Sequence, residues 1–160
     1  MLNKFIVLAF LWVVVFGLTA CSEARRDPCQ LLSVEDVRSV DSTVTSSFWA
    51  GRDGERKEDE VCMFQTDDGD PRVMLFVWYD SESDPWELAS KGVAGTGATI
   101  VDLSGIGTEA AAAFSDDELK LLAVKSSRGL VGLRVRKTAS RDSADFNEIV
   151  QLAEEALARK

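Results

Sequence analysis

Residues 5–16 form one uncharged apolar block, and the rest of the chain alternates short apolar runs with charged or glycine-containing breaks. Past that block, residues 28–40 predict a short helix: Ser33 is a good N-cap with Asp36 three positions on, and Leu31, Leu32, Val34 and Val37 are its apolar members. Residues 61–66 read as a strand and 67–71 as an Asp/Gly/Pro turn. Residues 73–79 read as a second strand, hairpinned to the first. It is apolar at nearly every position, which predicts cover on both faces and places Trp78 in the core.

Asp84 and Pro85 supply an N-cap and a first helical position for a helix running to about Lys91, ended by Gly92 and Gly95. Residues 98–103 predict a strand, 104–107 a turn, and 110–114 fit strand or helix, because alanine favours helix but the run is short. Residues 119–125 and 130–137 predict a hairpin around Ser127-Arg128-Gly129. Val131, Leu133 and Val135 share one face of its second strand; Gly132, Arg134 and Arg136 share the other. Phe146, Ile149, Val150, Ala153, Ala156 and Leu157 recur at helical spacing in 142–159, with Arg159 and Lys160 at the negative end. The charged stretch 53–60 reads as a solvated loop. The expected fold class is α+β: a curved antiparallel sheet with helices packed on it, in one domain over 28–160.

The apolar block has the layout of an export signal. Lys4 gives a positive start, Phe5 to Phe16 an apolar centre, Gly17 a break, and Thr19 and Ala20 small residues before Cys21. An uncleaved membrane helix is the plain alternative, but uncharged residues run only from Phe5 to Ala20, short of the ~20 that cross a bilayer comfortably. Leu18-Thr19-Ala20-Cys21 resembles the lipobox of bacterial lipoproteins. That resemblance implies cleavage before Cys21, lipidation of its sulfur, and a location on the extracytoplasmic face of the cell membrane. Residues 1–20 are then a lipoprotein signal peptide and 21–27 a tether of about 20 Å reach.

The formal charge of the chain is −9; removing residues 1–20 takes away only Lys4, making it −10. An acidic surface repels phosphate backbones and anionic headgroups, so nucleic acid is not an expected partner and the lipid must hold the protein at the membrane. With Cys21 assigned to lipid, Cys29 and Cys62 remain as an even pair in an oxidising compartment and are expected to form a disulfide. A metal or catalytic thiol is the alternative, although the chain has no His and no C-x-x-C.

Several stretches together resemble the actinobacterial lipoproteins grouped as domain of unknown function 3558. They are the lipobox, the start Asp27-Pro28-Cys29-Gln30-Leu31-Leu32, Cys62, the run Leu103-Ser104-Gly105-Ile106-Gly107-Thr108-Glu109-Ala110, and the closing Leu152-Ala153-Glu154-Glu155-Ala156-Leu157. The chain departs from that family in having Met63-Phe64 after Cys62, where a Trp is expected. The resemblance implies surface anchoring and a Cys29–Cys62 bridge, and it carries no catalytic residues across. The element order also looks, more loosely, like the PsbP and Mog1 type of α+β sandwich, which implies binding.

Chemistry-bearing motifs are sparse. Gly105-Ile106-Gly107-Thr108-Glu109-Ala110 matches G-x-G-x-x-A, but a dinucleotide cradle needs a helix after the glycines and a tight turn does not. Without His there is no base for a Ser or Cys nucleophile, and adjacent Ser90 and Lys91 point apart on a helix. Acidic groups at Asp53, Glu55, Glu58, Asp59 and Glu60, at Asp67, Asp68 and Asp70, and at Asp116, Asp117 and Glu118 all fall in polar turns, and the middle set lacks the EF-hand spacing for calcium. The expectation is therefore no catalytic residue, no metal and no cofactor. Trp49 and Trp86, at element ends, are the candidate ligand-binding residues. The chain reads as a non-enzymatic surface module for an envelope protein or a small or lipidic ligand. The alternatives are an envelope enzyme using carboxylates and an accessory subunit of a membrane transporter or sensor.

Overall fold

A computed structural model describes residues 27–50, 60–79 and 82–160. The export segment, Cys21 and the tether up to residue 26 lie outside the described residues, as does most of the charged stretch 53–60. Of that stretch Glu60 is described, and it opens a strand.

The seven strands are β1 (Ser46–Trp49), β2 (Glu60–Gln65), β3 (Pro71–Trp78), β4 (Thr99–Leu103), β5 (Glu109–Ser115), β6 (Glu118–Ser126) and β7 (Gly129–Val135). They form one open sheet in the order β1-β2-β3-β7-β6-β5-β4, every neighbouring pair antiparallel. Two meanders, β1-β2-β3 and β4-β5-β6-β7, are thus joined by the β3–β7 ladder. The helices α1 (Val34–Arg38), α2 (Pro85–Gly92) and α3 (Ala144–Arg159) pack on the sheet. The expected α+β class, with an antiparallel sheet and packed helices, is what the chain adopts.

The 28–40 helix is split. Pro28–Gln30 forms one 3-10 turn capped by the Asp27 carboxylate, which accepts from the Cys29 N–H at 2.8 Å. α1 then restarts after Ser33. The Ser33 hydroxyl accepts from the Asp36 N–H (3.1 Å) and the Asp36 carboxylate accepts from the Ser33 N–H (2.7 Å), a reciprocal capping box. Asp84 and Ser143 cap α2 and α3 in the same sense, each accepting from a backbone N–H inside its helix.

The core lies on one face of the sheet. Cys62, Phe64, Val73, Leu75, Val77, Leu122, Val124, Val131 and Leu133 point toward α3, α1 and the 3-10 turn. α3 brings Phe146, Ile149, Leu152, Ala153, Ala156 and Leu157 down onto them. Each large aliphatic side chain removed from water here contributes about 1.5–3 kcal/mol. The Arg159 guanidinium ties the end of α3 to α1 by bonding Asp36 and donates to the Leu31 carbonyl at 3.2 Å.

The 110–114 run that fits strand or helix from sequence is strand, paired on both sides. Its small side chains let α2 approach: Ala89 and Val93 meet Ala111, Ala113 and Leu121 on the face opposite the core. At Gly92 a Cβ would stand 2.5 Å from Leu121 Cδ2, so tertiary contact overrides alanine's helix propensity here. Asp116 and Asp117 both have positive φ (52° and 62°), the two-residue type I′ geometry that matches strand twist.

Cys29 and Cys62 are bonded, with Cα atoms 5.0 Å apart, and the bridge staples the 3-10 turn to the middle of β2. It spans 33 positions and stabilises the fold by about 3–4 kcal/mol on the chain-entropy account. Reduction should therefore lower the Tm of the domain by about 10 °C, measured by differential scanning calorimetry with and without reductant. An unchanged Tm would contradict the bridge.

Candidate functional site

The second face of the sheet is covered over only half its width. α2 closes it across β4, β5 and β6. Over β1, β2 and β3, no helix among the described residues lies on it, because α1, the 3-10 turn and α3 all pack against the core face.

Register defines what this uncovered area presents. Phe48, Met63, Met74 and Arg134 lie in one cross-strand row, and Val61, Phe76 and Gly132 in the next. Trp78 follows Phe76 two residues on and shares its side. Along β3, buried Val73, Leu75 and Val77 alternate with half-buried Met74, Phe76 and Trp78. The near-continuous apolar run of β3 therefore has one buried face, not the two expected, and Trp78 is a surface-layer residue, not a core one. Phe48, at the edge, is 43% exposed.

Gly132 shapes the middle of the face. A Cβ there would lie 3.0 Å from Trp78 Cζ3 and 3.1 Å from Cη2, so the indole rests directly across β7. Phe76 stacks beside it, ring centroids 5.7 Å apart and planes 19° from parallel. The result is an apolar platform of two aromatic rings, two methionines, Val61 and Phe48, carried on paired strands.

Arg134 is the charge on this platform. It is exposed and has no ion-pair partner among the described residues. Arg136, two residues along, is bonded to Asp70, which also meets Arg72 at 3.4 Å.

The two tryptophans proposed from sequence do not converge. Trp49 pairs with Cys62 and so points to the core side. Trp86, 50% exposed, sits on the first turn of α2 on the opposite side. Sequence reasoning missed the site that does form. β1 is four residues beginning Ser46-Ser47 and gives no alternation signal, so the Phe48 end of the platform was invisible. The one available signal was Gly132 and Arg134 on the non-core side of β7 beside an apolar β3.

The other candidate motifs resolve into structure. Gly107, at φ 55°, brings its backbone so close to the Lys125 carbonyl that a Cβ would lie 2.3 Å from that oxygen. The residues after it form β5 and not a helix, so the G-x-G-x-x-A run is a β4–β5 turn. Asp68 is bonded by the Thr66 hydroxyl, and Asp70 is shared by two arginines. Among the described residues, no group of three His, Cys, Asp or Glu is arranged to hold a metal ion. Glu60 is buried on the core side opposite Val77, with neither carboxylate oxygen hydrogen-bonded among the described residues.

The titrating carboxylates act as fasteners. The Arg159 guanidinium holds Asp36 well below the usual carboxylate range, at about 2, against the opposing effect of burial. At Asp41 burial pushes upward, yet the Thr43 hydroxyl and the Arg72 guanidinium outweigh it and the net shift is downward. Glu118 is lowered by the Lys120 ammonium.

No family model matches this chain, and no curated protein matches it.

Because the folded value of Asp36 lies below its ordinary 3.8, its contribution to stability is present above pH ~4 and is lost as pH falls toward ~2. Asp36→Asn should lower Tm at neutral pH, and the gap to the parent should close between pH ~4 and ~2. Thermal melts across pH check this; a gap constant with pH would contradict the Arg159–Asp36 link.

Proposed function

We propose that this chain is a lipid-anchored, extracytoplasmic, non-enzymatic module of the 3558 lipoprotein family, and that it binds a partner protein through the uncovered half of its sheet. One observation carries the binding part: a contiguous apolar platform, exposed at Phe48 and half-buried at Val61, Met63, Met74, Phe76 and Trp78, on which no helix lies among the described residues. Such patches, when contiguous and rimmed by polar residues, mark interaction sites. The platform extends across three paired strands from Phe48 to Trp78, which suits a protein surface better than the enclosure that small ligands need. Aromatic and methionine side chains are the residues enriched in protein interfaces, and the methionines adapt to an incoming surface. This favours the protein-partner reading, including an accessory subunit, over a small or lipidic ligand. The anchoring part rests on the sequence before residue 22 alone. A PsbP- or Mog1-like sandwich remains part of the same proposal.

Two labels on the full-length protein in its native cells test both parts. Cys21→Ala should abolish palmitate incorporation and release the chain from the membrane. A photo-crosslinking amino acid at position 74 should give protein adducts that the same group at Glu154, exposed on the outer side of α3, does not give. Retained palmitate would overturn the anchor, and equal or absent adducts at 74 would overturn the face.

A further inference from the structure

We propose that the occupant of the uncovered face is an amphipathic helix of a partner protein, laid beside α2 and placing a carboxylate on Arg134. This rests on the reading of the face as a protein-binding surface and adds the chemistry and shape of what it binds.

Shape comes from the layer that is missing. Among the described residues one face of the sheet carries α3 over β6 and β7 and the 3-10 turn over β1, β2 and β3, and the other carries α2 over β4, β5 and β6. The remaining strands β1, β2, β3 and β7 lie about 4.8 Å apart and give about 15 Å of width. A helix with its side chains is about 10 Å across, and packed helices sit 8–10 Å axis to axis. One helix therefore fits beside α2, with Phe76, which already packs at the margin of the α2 cluster, as the shared wall. Such a helix would complete the second layer that α2 begins.

Charge identifies the face of the helix. Arg134 stands in the row of Phe48, Met63 and Met74, at the α2 side of the open area, since its neighbours are Met74 on β3 and the β6 segment carrying Leu121. Covering it with a purely apolar surface would strand a guanidinium out of water, which is strongly unfavourable. A carboxylate on the incoming helix satisfies it bidentately.

The same argument disfavours a second copy of this chain. A two-fold pairing places each Arg134 against a face that holds no uncommitted carboxylate among the described residues, Asp70 at its rim being already bonded to Arg72 and Arg136. It also brings together two chains of formal charge −9. An anionic bilayer surface meets the same net repulsion.

The test uses the full-length protein in its native cells with the photo-crosslinker at position 74, combined with Arg134→Lys, Arg134→Gln and Arg134→Glu. Arg134 is exposed, and thermal melts of each variant confirm the fold. The expected result is an adduct whose crosslinked peptide, sequenced by mass spectrometry, has apolar residues at three- and four-residue spacing with an Asp or Glu on that stripe. Yield should be retained in Arg134→Lys, fall severalfold in Arg134→Gln and fall about tenfold or more in Arg134→Glu. Adducts that persist unchanged in Arg134→Glu, or that map to a strand, to lipid or to a second copy of this chain, would overturn the proposal. Protein adducts insensitive to Arg134 would leave the protein-binding reading standing without the acidic helix, whereas the absence of protein adducts at 74 would sink both.

Discussion

The ladder between β3 and β7 is the constraint on which the molecule depends. It pairs Val73 with Val135 through to Trp78 with Leu130 and is the only hydrogen-bonded junction between the two meanders among the described residues. On its core side it aligns Leu75 with Leu133 and Val77 with Val131, the strip against which α3 packs. On its other side it sets Phe76 opposite Gly132 and Met74 opposite Arg134. A slip of one residue would send Leu75 and Val77 outward and Met74, Phe76 and Trp78 inward, exchanging core and platform at once. Gly132 and Trp78 reinforce that register from the other side, because the indole lies so close over β7 that a Cβ at 132 would stand 3.0 Å from it.

The asymmetry of cover follows from how the helices are distributed. The 3-10 turn and α1 are held to the β1-β2-β3 core side by Cys29–Cys62 and by the Asp36–Arg159 bond, while α3 lies over β6 and β7 on the same side. Among the described residues only α2, inserted between β3 and β4, lies on the other face, where it meets β4, β5 and β6. Among the described residues the β1, β2 and β3 part of that face therefore carries no helix. Its aromatic and methionine content is what a soluble monomer avoids on a contiguous surface, which is the physical reason to read it as an interface.

Much of this was legible from the chain. The capping box at Ser33 and Asp36, the Asp84-Pro85 helix start, the 119–137 hairpin and the α3 stripe each rest on local rules that the structure obeys. Three features were not legible, and each fails for a tertiary reason. β1 is a four-residue edge strand, two serines then two aromatics, stabilised by pairing with β2, with no alternation to announce it. β5 is an alanine strand because α2 needs a close approach, not because of propensity. β3 looks doubly buried because its open face is as apolar as its core face. Sequence alone reports apolarity, and it does not say which apolar face the fold itself covers. Trp49 and Trp86 illustrate the same limit: both were reasonable anchors, and the sheet lies between them.

The second face of β1, β2 and β3 carries no helix among the described residues, and water reaches its half-buried side chains. Met63 and Met74 lie at its centre and report on it directly, since thioether oxidation follows exposure. Peptide-resolved mass spectrometry after brief peroxide treatment of the folded, disulfide-intact protein should show sulfoxide at both residues while the Tm transition remains intact at the moment of labelling. Protection of both methionines until the domain unfolds would contradict the account.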